Sequence, residues 1–191
     1  MPSPFLLDTN AYFLIFRPPP KPQSYFRLIQ KIGYGCQISF YIFEISSMEI
    51  HSVLGKYRRG VSPQRQQCNR EIVVGSQTLK CSNTWTVPGR KKMKLKVFRG
   101  IQKMINDTEA ARGDIQATVL KLDSDSIEEA RKLLIKYADR YNFGSHDSLI
   151  AGGLIVVRET KGMNLTLVTS DRGLQAVLRD ESIPFYAPER V

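Results

Sequence analysis

The chain has 191 residues, 42% of them apolar and 24% charged, enough for one globular α/β domain with an insertion and too few for two full domains. No stretch approaches about 18 uninterrupted apolar residues, and the apolar run from Phe5 to Phe16 is broken by Asp8 and Asn10 with no basic region before it. Neither a membrane span nor a signal peptide is therefore expected, and the expected location is the cytoplasm.

The net charge of +10 is lopsided. Between Lys56 and Lys103, thirteen Lys or Arg stand against Glu71 alone, a net of +12 that leaves −2 for the rest, so one segment carries the footprint for a polyanion such as RNA. Cys36, Cys68 and Cys81 are odd in number and form no C-x-x-C pair, and His51 and His146 have no partner at metal-ligand spacing. Neither a disulfide framework nor a zinc site is expected on these grounds; any metal must be held by oxygen.

Residues 5–7 are a short apolar run that stops on Asp8, as a buried parallel strand would. Four prolines within residues 17–22 remove donors and fix φ, which predicts an extended surface loop. A short helix is expected over 24–32 and a second strand over 37–41, separated by Gly33 and Gly35. Residues 42–56 place Ile42, Ile45, Val53 and Leu54 at near-helical spacing and run out at Gly60. From 58 to 100 the composition turns to Arg, Lys, Gln, Ser and Gly, which marks an insertion after the second strand-helix unit of a single domain spanning 1–191. Within it residues 92–97 alternate, so a strand would set Lys92, Lys94 and Lys96 on one face; a helix from about Leu95 is the other reading.

A helix is expected over 101–112 and a strand over 116–122. Over 126–141, Ser126 and Glu129 read as a capping box, and Ile127, Ala130, Leu133, Leu134, Tyr137 and Tyr141 form an apolar stripe that Gly144 ends. A helix over 147–157, where Ala151, Gly152 and Gly153 permit close packing, a strand over 165–169 and a helix over 173–178 complete the chain. Strands and helices largely alternate, which predicts an α/β fold with a parallel, Rossmann-like sheet flanked by helices.

Two apolar strands end in an acid, at Asp8 and at Asp171, and ligands bind outside the carboxyl ends of parallel strands. Asp147 opens an apolar helix and Glu44 follows the second strand, both at the same expected edge. Taken singly, Asp8 reads as a helix cap and Asp147 as a favourable first-turn charge. Four converging acids repel one another, and a hard cation such as Mg²⁺ or Mn²⁺ relieves that repulsion. Glu49 competes with Glu44: five residues apart on a helix, they differ by about 140° and only one can face the site. Glu44, nearer the strand end, is the expected ligand.

Leu7-Asp8-Thr9-Asn10, Ile38-Ser39-Phe40-Tyr41 with Glu44-Ile45-Ser46-Ser47, Ser145-His146-Asp147-Ser148-Leu149-Ile150-Ala151 and Leu167-Val168-Thr169-Ser170-Asp171 resemble, in order, the acidic motifs of PIN-domain ribonucleases. The His-Asp and Thr-Ser-Asp segments are most similar to the VapC toxins of type II toxin–antitoxin systems. The resemblance covers both ends of the chain and spares the basic insertion. It implies a Mg²⁺- or Mn²⁺-dependent endoribonuclease, with Asp8, Glu44, Asp147 and Asp171 as metal ligands and catalytic acids. Thr9, Asn10, Thr169 and Ser170 would support them by hydrogen bonds, and Lys92, Lys94, Lys96 and Arg172 would contact RNA phosphates. It further implies a homodimer and a small antitoxin partner. A PIN nuclease of RNA processing, and a non-catalytic RNA-binding or protein-interaction module on the same scaffold, are the alternatives. A haloacid-dehalogenase phosphotransferase would need a second aspartate where Asn10 stands.

Overall fold

The structure, a computed structural model, describes residues 4–34, 37–74 and 77–189. Gly35 and Cys36, read above as a breaker and a reduced thiol, lie outside the described residues; Cys68 and Cys81 are free thiols. The chain divides into two compact units, one of Met1–His51 with Ile101–Val191 and one of Ser52–Gly100.

In chain order the elements begin with β1 (Phe5–Leu7), α1 (Thr9–Phe16), α2 (Gln23–Ile32), β2 (Gly33–Tyr34), β3 (Gln37–Phe43) and α3 (Glu44–Arg59). The strands β4 (Gln64–Gln67), β5 (Glu71–Val74), β6 (Gln77–Lys80) and β7 (Thr84–Val87) follow, then α4 (Leu95–Glu109) and β8 (Ile115–Leu120). The chain closes with α5 (Ser124–Tyr137), α6 (Ser145–Lys161), β9 (Thr166–Val168), α7 (Arg172–Asp180) and β10 (Phe185–Tyr186). Among the described residues, no helix is long and apolar enough to cross a membrane.

In the first unit, β10, β9, β1, β3 and β8 lie side by side in that order, all parallel, and β2 pairs antiparallel with the start of β3. The central strands are apolar because both of their faces are covered. Leu133 and Tyr137 of α5, Ile150 and Leu154 of α6 and Leu174 and Leu178 of α7 pack with Leu6, Phe43 and Leu167 of the sheet. Helix α1 is buried all round except at Asn10, and its Tyr12 ring meets Phe16 and Phe40 edge-on at 5.2 and 5.7 Å. At the end of α4, Glu109 accepts the Tyr12 hydroxyl at 3.0 Å and the Ser47 hydroxyl at 2.8 Å, which ties α4 to α1 and α3.

The structure decides between the two readings of residues 92–97 in favour of the helix from Leu95, and it corrects the expected cap, stripe and end of the helix after β8. Residues 92–97 are not a strand: α4 starts at Leu95, and Phe98 N bonds Lys94 O at 3.0 Å to open it. The buried residues of α4, Ile101, Ile105 and Thr108, recur every three or four positions, and this longer helical period overrides a six-residue alternation. Lys92, Lys94 and Lys96 therefore share no strand face. The cap of α5 is Asp123, not Ser126: Asp123 Oδ1 accepts from Ser126 N at 2.9 Å and from Ser126 Oγ at 2.7 Å. Glu129 turns to Lys132 instead, at 3.0 Å. The inward stripe is accordingly Ser126, Ala130, Leu133 and Tyr137, and Ile127 is 56% exposed. Gly144 does not end α5 but caps α6.

The second unit is an antiparallel ribbon in two stretches. Gln64 to Gln67 pair with Val87 to Thr84, and Glu71 to Val74 pair with Lys80 to Gln77. Cys68 N to Asn83 O at 2.8 Å and Cys81 N to Arg70 O at 2.9 Å continue the ladder between them.

Helices α5 and α6 cross where Gly152 leaves no room for a side chain. A Cβ there would stand 2.5 Å from Ala130 N and 2.8 Å from Ser126 O, both backbone atoms that cannot swing aside. Gly152→Ala is expected to destabilise the protein by about 1–3 kcal/mol, the usual cost of overpacking. Urea denaturation measures it, and an unchanged midpoint would contradict this crossing.

Candidate active site

Parallel pairing brings the ends of β1 and β9 level, with Leu7 opposite Val168 and Asp8 N bonded to Val168 O at 3.1 Å. Asp8 then caps α1, its Oδ1 accepting Ala11 N at 2.6 Å, and it is only 3% exposed. Asp171 caps α7 in the same way, accepting Leu174 N at 2.8 Å. Asp147, in the first turn of α6, reaches back to Gly144 N at 3.3 Å. Each aspartate thus anchors one oxygen on a helix N-terminus, where backbone donors and the helix dipole favour a negative charge.

The three act on one another. Burial pushes the Asp8 carboxyl up to about 7, with hydrogen bonds from Ala11 N and Thr169 opposing and the charges of Asp147 and Asp171 adding to the rise. Asp147 is also raised, by burial first and then by the charges of Asp171 and Glu49, against the lowering effect of Gly144 N and His146. Thr169 links the pair at the strand ends: its hydroxyl bonds the Asp8 carboxylate and accepts Asp171 N at 3.0 Å.

Glu44 is not brought to this group. Its Oε1 accepts Leu122 N at 3.0 Å, satisfying a backbone donor just beyond β8. Glu49 takes the neighbouring place: its Oε2 lies 2.8 Å from His146 Nε2, near enough for an ion pair with a protonated imidazole but not aligned as a hydrogen bond, and its charge acts on Asp147. The rotation of α3 accounts for this. Ser46 and Ile50 mark the inward side of α3, and Glu49, three residues after Ser46, is about 60° from it around the helix, whereas Glu44 is about 160° away. His146 was missed because only metal-ligand spacing was sought.

Of the supporting residues, Thr169 is engaged as described. The hydroxyls of Thr9, next to Asp8, and Ser170, next to Asp171, are buried without a hydrogen-bond partner, as is that of Ser46, one turn before Glu49. Asn10 and Arg172 are exposed. Among the described residues, no three His, Cys, Asp or Glu side chains stand close enough together to enclose an ion directly. The donor set nonetheless fits a hydrated hard cation: all oxygen, mutually repelling, with unsatisfied hydroxyls beside it, and Mg²⁺ keeps several waters rather than taking an all-protein cage.

The raised Asp8 carboxyl sets a pH dependence. Between its ordinary 3.8 and about 7 the folded chain binds this proton more tightly than the unfolded chain does, so stability without metal falls as pH rises through that window. Asp147, also raised, adds with the same sign. In EDTA, the urea midpoint should be higher at pH 5 than at pH 8, and Asp8→Asn should flatten the difference and be the more stable protein at pH 8. A midpoint that climbs from pH 5 to pH 8 would contradict the crowding of these acids.

No protein-family model matches the chain, and no curated protein matches it significantly. Among solved structures, a chain of a toxin–antitoxin complex from Klebsiella pneumoniae superposes with a TM-score of 0.52 at 14% identity, over 98% of this chain and 99% of that one. A chain of the DNA-bound VapBC crystal structure from Salmonella typhimurium gives a TM-score of 0.48 at 15% identity, over 97% of this chain and 98% of that one. The likeness to the Klebsiella pneumoniae chain, together with the five-stranded parallel sheet and its flanking helices, shows a PIN-like α/β fold.

Proposed function

We propose that the chain is a Mg²⁺- or Mn²⁺-dependent endoribonuclease, the toxin of a toxin–antitoxin pair. The observation that carries this reading is the group of Asp8, Asp147 and Asp171 at the carboxyl edge of a parallel sheet, with Asp8 pushed up to about 7 by burial and by its neighbours. The toxin assignment draws support from the Klebsiella pneumoniae chain, which comes from a toxin–antitoxin complex. A homodimer, a small antitoxin that blocks the acidic edge, and action in the cytoplasm belong to the same reading.

Asp8, Asp147, Asp171 and, in place of Glu44, Glu49 would hold the cation, directly or through water. When bound, the ion supplies Lewis-acid stabilisation of the phosphodiester and a water of lowered pKa. The protein's part is to fix the carboxylates. The Thr169 hydroxyl bonds the Asp8 carboxylate and the backbone N–H of Asp171, the helix N-termini hold one oxygen of each aspartate, and His146 lies against the Glu49 carboxylate, whose charge acts on Asp147. Arg172, exposed directly after Asp171, would meet a phosphate oxygen. Lys94 and Lys96, exposed at the start of α4, would add general positive charge.

The open spacing of the acids favours one alternative, a non-catalytic RNA-binding module on the same scaffold. Metal separates the two readings. For the nuclease, millimolar Mn²⁺ should raise the melting temperature, by the equivalent of about 2.7 kcal/mol at a hundred times Kd. Cleavage of total RNA should require Mg²⁺ or Mn²⁺ and stop in EDTA, and RNA bound but uncut in either metal would establish the module.

Asp8→Asn, Asp171→Asn and Glu49→Gln should each lower metal-dependent cleavage by about 100-fold or more. Glu44→Gln should retain most of it, because an amide oxygen can still accept Leu122 N. Mapped cleavage rates decide the matter: loss in Glu44→Gln with retention in Glu49→Gln would return the site glutamate to Glu44.

A further inference from the structure

The Ser52–Gly100 unit carries twelve Lys or Arg against Glu71, a net of +11, which leaves −1 for the rest of the chain's +10. This charge is not only spread over a surface. At the root of the ribbon, Val61 and Arg90 form an antiparallel bridge, with Val61 N to Arg90 O at 2.9 Å and Arg90 N to Val61 O at 2.8 Å. The two segments border an open cavity of about 450 Å³ whose lining includes Arg59, Arg90, Lys91 and Lys92 and no acid. That volume lies in the usual range of ligand pockets, roughly 300–1,000 Å³.

The pocket is built rather than incidental. Gly60 adopts φ +70°, which a side chain rarely tolerates, and a Cβ at Gly89 would run into the Val61 carbonyl and the Pro63 nitrogen. Arg90 is committed to the frame: its guanidinium lies on the Tyr57 ring at 3.9 Å and donates to Lys56 O at 3.1 Å. Arg59, Lys91 and Lys92 are exposed, and none pairs with a carboxylate among the described residues.

The ribbon beyond the pocket says which anion it takes. Gln66 stands opposite Trp85 and Gln64 opposite Val87, so two amides, an indole and an apolar side chain share one face, and Trp85 is 49% exposed. A stacking ring with polar edges beside free cations is the usual equipment for a single-stranded nucleic acid: phosphates meet the cations and a base stacks on the ring.

We propose that the root of the ribbon is a phosphate-binding pocket for single-stranded RNA, with Arg59, Lys91 and Lys92 taking the backbone and Trp85 a base. The inference rests on the ribonuclease reading but concerns capture of the substrate rather than its cleavage. The test is anisotropy of a fluorescent 12-nucleotide RNA of mixed sequence, in EDTA, over a range of salt. Lys91→Ala with Lys92→Ala should lower the log–log salt slope by about 1.4, since each single-strand phosphate contact contributes about 0.7. Trp85→Ala should weaken binding about tenfold with the slope unchanged. Taking two charges from α5 instead, with Arg131→Ala and Lys132→Ala, should leave both unchanged, and all variants should melt like the parent. An unaltered slope in the pocket variant, an equal fall in the α5 variant, or tighter binding of a polyglutamate peptide than of RNA would overturn the proposal. Failure of the pocket therefore shows in binding while cleavage by the parent protein persists, and failure of the nuclease reading shows as absent cleavage with the slope effect intact.

Discussion

Because β1 and β9 pair in parallel, with Leu7 opposite Val168, the two strands run out at the same level and the chain leaves the sheet twice at one edge. Asp8 and Asp171 are the residues at those exits, and each turns directly into a helix whose first donors it satisfies. Leu6, Leu7, Leu167 and Val168 are all buried, so packing on both faces of the sheet holds the two strand ends in place. A third helix, α6, brings Asp147 to the same edge, held there by its close crossing with α5 at Gly152.

Capping and crowding oppose each other at this edge. A helix N-terminus stabilises an aspartate as an anion, yet burial and two neighbouring carboxylates disfavour the charge at Asp8, and the second effect wins. The balance explains why one oxygen of each aspartate is fixed while the group as a whole stays open. Thr169 joins the two strand ends, its hydroxyl bonding the Asp8 carboxylate and accepting the backbone N–H of Asp171.

The sheet, its helices and the three aspartates were legible in the sequence because each depends on a strong local signal: an apolar run that stops on an acid, or a helical stripe that begins with one. The carboxylate beside Asp147 was not, because proximity to the strand end in sequence favours Glu44, while it is the charge of Glu49 that reaches Asp147; which face of α3 is buried shows only once the burial of Ser46 is known. Asp123 was passed over as a cap because Ser126 and Glu129 matched a familiar spacing three residues later. Residues 92–97 alternate too briefly to outweigh the helical period that begins at Leu95. The pocket at the ribbon root was invisible for a different reason. Its lining joins residues near 60 to residues near 90, and only the Val61–Arg90 bridge brings them together.

The Glu109 bridge to Ser47 and Tyr12 bears on how such a chain changes over time. Ser47 lies just before the point where the basic excursion departs along α3, and Glu109 lies just after it has returned along α4, so the host fold is fastened on its own side of both junctions. With the ends already secured, the entropy of closing whatever lies between grows only slowly with its length, by about 0.6 kcal/mol per doubling. The excursion is in that sense a cassette: its length can change at small entropic cost while the host fold stays fastened.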